Sequence, residues 1–226
     1  MTMPMTEAQQ AAYHLSVQAK EIAEMSARTE PFEYRVANLN VTVLPKVYPG
    51  GIDSELVSEA IGNTSGKSVL DLCTGTGIVA LKAAQRGANR VVAIDLNPEA
   101  VRNAMLNAEK FGYDQIEVRE GSLFETVNSE RFDVIAMNPP YTAKKPADKT
   151  EICFWDEDNQ TTRDFFVEYK HHLNPGGKAF LAWADFSPIE LIEELARNND
   201  TKLELVESKS TPSGLATFLV YQLAGL

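Results

Sequence analysis

The chain has 226 residues, 44% hydrophobic and 23% charged, proportions of an ordinary soluble globule with room for one α/β domain and a sizeable core. No apolar run approaches the ~20 residues that span a bilayer, and the N-terminus lacks a signal-peptide pattern. The net charge of −11 disfavours a grip on duplex DNA or bulk RNA, which calls for a basic face; Lys144, Lys145 and Lys149 read as solvated surface.

Thr6 to Arg28 reads as an amphipathic helix. Ala8, Ala11, Leu15, Ala19 and Ile22 recur at three- and four-residue steps, with Thr6 as N-cap. Such a helix can pack against the main domain or form a lid over a substrate mouth, and packing is favoured. His14 is expected on its surface, not as a base. Glu33 to Leu44 carries two β-rich runs around Ala37-Asn38, consistent with a hairpin. From Val47 to Ile61, the Pro49-Gly50-Gly51 turn leads to Asp53 or Ser54 as a cap. Leu56, Val57, Ala60 and Ile61 form the buried stripe of the helix that follows. The chain thus divides into an extension, 1–46, and a main domain, 47–226.

Ser68 to Leu72 has the length and apolar character of a buried parallel strand. Asp71 opens a turn carrying Gly75 and Gly77, and Ile78 to Arg86 restarts with helical spacing. Arg90 to Ile94 is a second buried strand. It ends at Asp95, 18 positions after Gly77, where a carboxylate can accept hydrogen bonds from both ribose hydroxyls. Asn97-Pro98 starts a helix through about Phe111, and Ile116 to Arg119 is a third strand, followed by Gly121 to Glu125. Arg131 to Met137 is a strongly apolar fourth strand, ending in Asn138-Pro139-Pro140-Tyr141. Thr142 to about Asp158 is a polar loop without periodicity, expected to be mobile without ligand. A helix over Thr162–Leu173 closes at Asn174-Pro175-Gly176-Gly177, with His171 and His172 expected at the surface. Lys178 to Ala184, Leu203 to Ser208 and Ala216 to Leu223 are the remaining strands, with a helix from Pro188 to Arg197. This alternation argues an α/β doubly wound, mainly parallel sheet with one antiparallel strand. Cys73 and Cys153 lack metal-like spacing and read as structural thiols of a reduced cytoplasmic protein, with no metal expected.

The dinucleotide fingerprint G-x-G-x-x-G is not met, because Ala80 stands where its third glycine would be. The series Asp71-x-Cys73-x-Gly75-x-Gly77 resembles motif I of class I S-adenosylmethionine-dependent methyltransferases, with Cys73 where that family usually carries glycine. The resemblance covers about Val47 to Leu223 and implies a Rossmann-like seven-stranded sheet of order 3-2-1-4-5-7-6. It implies that Asp71, Cys73, Thr74, Gly75 and Gly77 hold the methionine part of S-adenosylmethionine. It implies further that Asp95 binds the ribose, that Leu96 lies against the adenine, and that Ser122 and Leu123 sit near the adenine amine. Many relatives carry an aspartate at the place of Ser122.

Asn138-Pro139-Pro140-Tyr141 matches the N-P-P-Y motif of methyltransferases that act on planar amino or amide nitrogens. A planar nitrogen has its lone pair delocalised and is a poor nucleophile. The Asn138 oxygen, which also borders the cofactor, and the Pro139 carbonyl can hold its two N–H groups and favour a pyramidal, positive transition state. Tyr141 offers a face for a flat substrate group. The upstream V-Y-P-G-G-I-D-S-E-L looks like the segment that precedes motif I in protein-(glutamine-N5) methyltransferases of release factors. The expectation is an S-adenosylmethionine-dependent N-methyltransferase, its first acceptor a protein glutamine. A small amino-bearing metabolite is the second choice and a nucleobase the third. A non-catalytic cofactor-binding module is the reading from a different class.

Overall fold

A computed structural model describes residues 6–225 of the protein; the first five residues of the expected extension, the side chains of Glu7 and Ala8 and residue 226 lie outside that description. Helix α1 (Glu7–Ala27) starts at a capping box, in which Thr6 and Gln9 bond each other's backbone N–H. Its buried positions are His14, Gln18, Ile22 and Met25, one helical stripe. The expected stripe through Ala11, Leu15 and Ala19 is exposed instead, Leu15 at 42%. Aromatic partners decide this. Phe186 covers His14, and Phe154 and Trp155 pack on Ile22 and Met25.

Strands β1 (Phe32–Val36) and β2 (Leu39–Val43) form the expected hairpin. Ala37 and Asn38 both have φ above +45°, the type I′ geometry that matches strand twist. Val41 and Val43 pack on Ile78, Leu81 and Ala100 of the main domain. Two buried asparagines of α4 (Pro98–Phe111) fasten β2 further, because Asn107 and Asn103 accept from the Thr42 and Leu44 N–H and donate to the Thr42 carbonyl.

The main sheet contains β3 (Ser68–Leu72), β4 (Arg90–Asp95), β5 (Ile116–Glu120), β6 (Phe132–Met137), β7 (Leu173–Ala184), β8 (Thr201–Ser210) and β9 (Thr217–Gly225). Their spatial order is β5-β4-β3-β6-β7-β9-β8, which is 3-2-1-4-5-7-6 when counted from β3. The pairs are parallel up to β7, and β9 runs antiparallel between β7 and β8. Helices α3 (Ile78–Gln85) and α4 connect strands leftward from β3, whereas α5 (Gln160–Glu168) and α6 (Ile189–Asn198) connect rightward from β6. Right-handed crossovers therefore put the two helix pairs on opposite faces. The order reverses between β3 and β6, so their carboxyl ends bound the crevice where an open α/β sheet takes its ligand.

Three local expectations differ. Helix α2 (Ile52–Ala60) is capped by Gly51 without a side-chain bond, and Asp53 and Ser54 lie inside its first turn. The stretch Asn174 to Gly177 belongs to β7, where the register with β6 slips, and α5 ends at Glu168 before a 3-10 turn. His172 is buried, stacked on Phe124 at 4.6 Å with Nδ1 on the Glu130 carbonyl, because that turn folds inward; His171 is exposed.

Candidate active site

The turn after β3 is held from inside. The Asp71 carboxylate accepts from the Thr74 hydroxyl at 2.6 Å and from the Ala80 N–H at 3.0 Å, tying the turn to the first residues of α3. Cys73 takes a left-handed φ of 60°, the conformation in which glycine is free and a side chain costs about 1–2 kcal/mol. Gly77, at φ 88°, lets α3 approach α4, since a Cβ there would meet Ala104 at 3.4 Å. Burial pushes the Asp71 carboxyl up to about 7, against the two hydrogen bonds that lower it.

That shift has a consequence for stability. Below pH ~4 Asp71 is protonated in both folded and unfolded chains. Between ~4 and ~7 only the unfolded chain gives up the proton, so stability falls as pH rises, by up to about 4 kcal/mol at 1.36 kcal/mol per unit. Denaturant titrations of the ligand-free protein from pH 4.5 to 8 should show that fall, and Asp71→Asn should flatten it. A slope unchanged by the substitution would assign the loss to other groups.

Asp95 closes the other side of the turn. Its Oδ2 accepts from the Gly75 N–H at 2.8 Å and its Oδ1 from the Asn97 N–H at 2.9 Å, while burial raises its pKa. Leu96 follows with 51% of its surface exposed. Ser122 and Leu123 stand beyond β5, Leu123 buried at φ 44°. Asp71, Cys73, Thr74, Gly75, Asp95, Leu96, Ser122, Leu123 and the tetrapeptide after β6 line one cavity of about 560 Å³, whereas Gly77, turned toward α4, does not. The sequence-predicted residues thus meet at one sheet edge.

The tetrapeptide is a hydrogen-bonded cluster. Asn138 Nδ2 donates to Asp53 Oδ2 at 3.1 Å and to Ser54 Oγ at 3.2 Å, and the Tyr141 hydroxyl donates to Asn138 Oδ1. The same hydroxyl lies 3.3 Å from Asp53 Oδ2, and Ser187 Oγ holds the Tyr141 carbonyl at 2.7 Å. Tyr141 is buried, edge-on to Trp183 and Phe186, and burial beside Asp53 keeps its phenol protonated. Its ring lines the cavity while its hydroxyl braces Asn138.

Asp53, Ser54 and Tyr48 were not anticipated as site residues, and α1 was favoured as a packing helix over a lid. Helix α1 forms a wall of the cavity through Tyr13, His14, Val17 and Gln18. His14, expected at the surface, is 8% exposed and stacks on Phe186 at 4.2 Å. The stretch 142–158 contains two 3-10 turns and a parallel bridge from Thr142 to Trp155. Gln18 Oε1 accepts from Thr142 Oγ1 at 3.0 Å and Trp155 Nε1 at 3.3 Å, so one amide joins α1 to that loop. Gln18→Ala strands the buried indole N–H. It should cost about 1–3 kcal/mol in chemical denaturation, and no change would show that the loop stands without α1. Of the three loop lysines, Lys144 lies over the Trp155 ring at 3.2 Å and Lys145 pairs with Glu157 at 3.1 Å.

Six carboxylates line the cavity (Glu21, Asp53, Asp71, Asp95, Asp156 and Glu157) and no lysine or arginine among the described residues does. The site therefore favours cationic over phosphorylated ligands. Cys73 and Cys153 are free thiols on its wall, both held protonated by burial. No cluster of metal-binding side chains occurs among the described residues, and no described helix is long and apolar enough to cross a membrane.

Comparison with known proteins gives four findings. The family model "Methyltransferase small domain" matches residues 38–208. A candidate protein N5-glutamine methyltransferase of Methanocaldococcus jannaschii is 32% identical over 148 residues, which cover 63% of this chain and 74% of that protein. The release factor glutamine methyltransferase of Geobacter sulfurreducens is 32% identical over 170 residues, 67% of this chain and 60% of its own length. Among solved structures, the ribosomal protein L11 methylase of Lactobacillus delbrueckii subsp. bulgaricus aligns with a TM-score of 0.62 at 20% identity, over 81% of this chain and 83% of that one; at that identity the likeness is one of fold.

Proposed function

The chain belongs to the methyltransferase small domain family, and on that premise we propose that it methylates the side-chain amide nitrogen of a protein glutamine, using S-adenosylmethionine. The observation that carries the reading is the convergence of Asn138-Pro139-Pro140-Tyr141 with Asp71, the turn residues Cys73 to Thr76 and Asp95 on one cavity. The glutamine methyltransferases among the relatives support the choice of acceptor.

The residues present fit the cofactor. A cavity lined by six carboxylates and, among the described residues, by no lysine or arginine suits a sulfonium and an ammonium group, and it is unsuited to the phosphates of NAD or ATP. Asp95, whose oxygens each take one backbone N–H, keeps lone pairs for a ribose diol, and the exposed Leu96 offers an apolar surface to a purine. The backbone of Cys73 to Gly77 takes the methionine end, with Asp71 bracing the turn beneath it. Ser122 and Leu123 border the base. Bound there, S-adenosylmethionine supplies an electrophilic methyl group.

The chain's own part is alignment. Asn138 Oδ1 and the Pro139 carbonyl receive the two N–H groups of the acceptor amide. As the nitrogen becomes pyramidal and positive, those oxygens bind it better than in its planar state. The prolines stiffen the turn, and the aromatic walls keep water from the reacting atoms. The absence of lysine and arginine from the cavity among the described residues ranks a nucleobase in RNA below an amide. The free thiols fit a reducing, cytoplasmic setting.

Methyl transfer from labelled cofactor to a release factor, a metabolite pool and total RNA tests the reading. Label is expected on a glutamine of the release factor. Label confined to RNA or to a small amine would overturn the glutamine assignment and leave the family membership intact.

A further inference from the structure

We propose that Asp53 is a positioning residue that sets the polarity of the Asn138 amide, turning its oxygen and not its nitrogen toward the methyl acceptor. The inference rests on the reading of Asn138 as the group that holds the acceptor nitrogen. A primary amide has nearly the same shape at both ends, and half a turn about its terminal bond exchanges a two-lone-pair acceptor for a two-proton donor. Turned the wrong way, Asn138 would present donors to an acceptor amide that itself brings N–H groups. Only hydrogen-bond partners can select the correct orientation.

Three partners surround the amide, and two of them are indifferent. The Ser54 hydroxyl, 3.2 Å from Nδ2, can accept or donate, and so can the Tyr141 hydroxyl beside Oδ1. Asp53 is different. A carboxylate only accepts, and its Oδ2 lies 3.1 Å from Asn138 Nδ2. A flipped amide would set a carbonyl oxygen against that carboxylate, in a buried site where like-signed oxygens repel strongly. With Nδ2 fixed on Asp53, Ser54 takes the second proton, and Oδ1 keeps one lone pair for Tyr141 and one for the acceptor.

The fold goes to some length to put a carboxylate there. Asp53 comes from the first turn of α2, 85 residues before Asn138, and its Oδ1 is anchored by the Ser54 N–H at 2.7 Å. A Cβ at Gly51 would stand 2.7 Å from the Tyr48 hydroxyl and 3.1 Å from Asp53 Oδ1, so the glycine makes the room this approach needs. The Pro49-Gly50-Gly51-Ile52-Asp53-Ser54 stretch thereby has a part in the chemistry beyond starting a helix.

Asp53→Asn keeps the shape and removes the selection. With release factor as acceptor, its kcat should fall ~10–100-fold, the loss typical of a group that orients a reacting ligand, while cofactor affinity stays within ~2-fold. Placed on Asn138→Ala, the same substitution should have no further effect, because Asp53 acts through Asn138. Ser54→Ala, which keeps the carboxylate, should lose less than ~10-fold. In wild-type protein, whatever the fate of the variants, the Asn138 Nδ2 protons should show nuclear Overhauser contacts to the Ser54 methylene. Contacts to the Tyr141 ring alone would mean the reverse orientation and overturn the proposal. So would a wild-type rate in Asp53→Asn beside a crippled Asn138→Ala, or losses that add in full, the mark of a merely structural role. A wild-type rate in Asn138→Ala itself would sink the underlying reading as well, and is thereby told apart.

Discussion

Asn138→Ala should lower turnover ~100-fold or more while changing cofactor affinity by less than ~1 kcal/mol. The division follows from geometry. Asn138 stands after β6, and the hydrogen bonds that shape the cofactor turn are made by Asp71 and Asp95, after β3 and β4. Its removal leaves those bonds intact. What disappears is the oxygen placed to receive an N–H of the acceptor, together with the partner of the Tyr141 hydroxyl, which can then turn wholly to Asp53 at 3.3 Å. Asn138→Asp sharpens the test. One oxygen of the new carboxyl then meets Asp53 Oδ2 and the pair shares a proton, while the other still accepts hydrogen bonds, so an amide acceptor keeps partial activity. Single-turnover rates measured beside calorimetric cofactor affinities separate the cases. An Asn138→Ala protein that methylates at the wild-type rate would end the nitrogen assignment.

Asp95→Ala should weaken S-adenosylmethionine binding by ~2 kcal/mol or more, through loss of two charge-assisted hydrogen bonds to the ribose. Part of any loss will come from the protein, because Asp95 also receives the Gly75 and Asn97 N–H groups and so shapes the turn and the start of α4. Asp95→Asn distinguishes the two contributions. It retains one acceptor for the backbone but no negative charge for the diol, and should still bind the cofactor at least ~10-fold more weakly. Calorimetry on a folded Asp95→Ala protein that shows unchanged affinity would remove Asp95 from the site. NAD or ATP in the same titration should give no heat, since no lysine or arginine among the described residues lines the cavity to receive phosphate.

The sheet and its ligand edge were legible in the sequence because they depend on local signals. The central parallel strands β3, β4 and β6 are largely buried on both faces and so appear as short apolar runs, and at or just past their ends stand residues that the next turn needs: Asp71, Asp95 and Asn138. The strand order came with the resemblance, and the right-handed crossover leaves few alternatives. Even the hairpin was visible, although Ala37-Asn38 is an unusual pair for a turn with two positive φ angles.

What the sequence could not disclose are contacts between residues far apart in it. Asp53 at the start of α2 reads as a helix cap, the commonest use of an aspartate before an apolar stripe. Only the approach of α2 to the end of β6, across 85 residues, makes it the partner of Asn138. Helix α1 follows the same logic. Its sequence has a weak alanine stripe and a better one that begins with a histidine and a glutamine, and periodicity analysis counts polar residues against burial. Tertiary structure reverses the count, because Phe186 stacks on His14 and the Trp155 indole and Thr142 hydroxyl satisfy Gln18. By itself the sequence determined the layered sheet and the edge at which Asp71, Asp95 and Asn138 meet, since burial and backbone geometry act over a few residues. The orientation of the Asn138 amide and the identity of the cavity wall were decided only in three dimensions, where a polar side chain's role depends on the partner it meets.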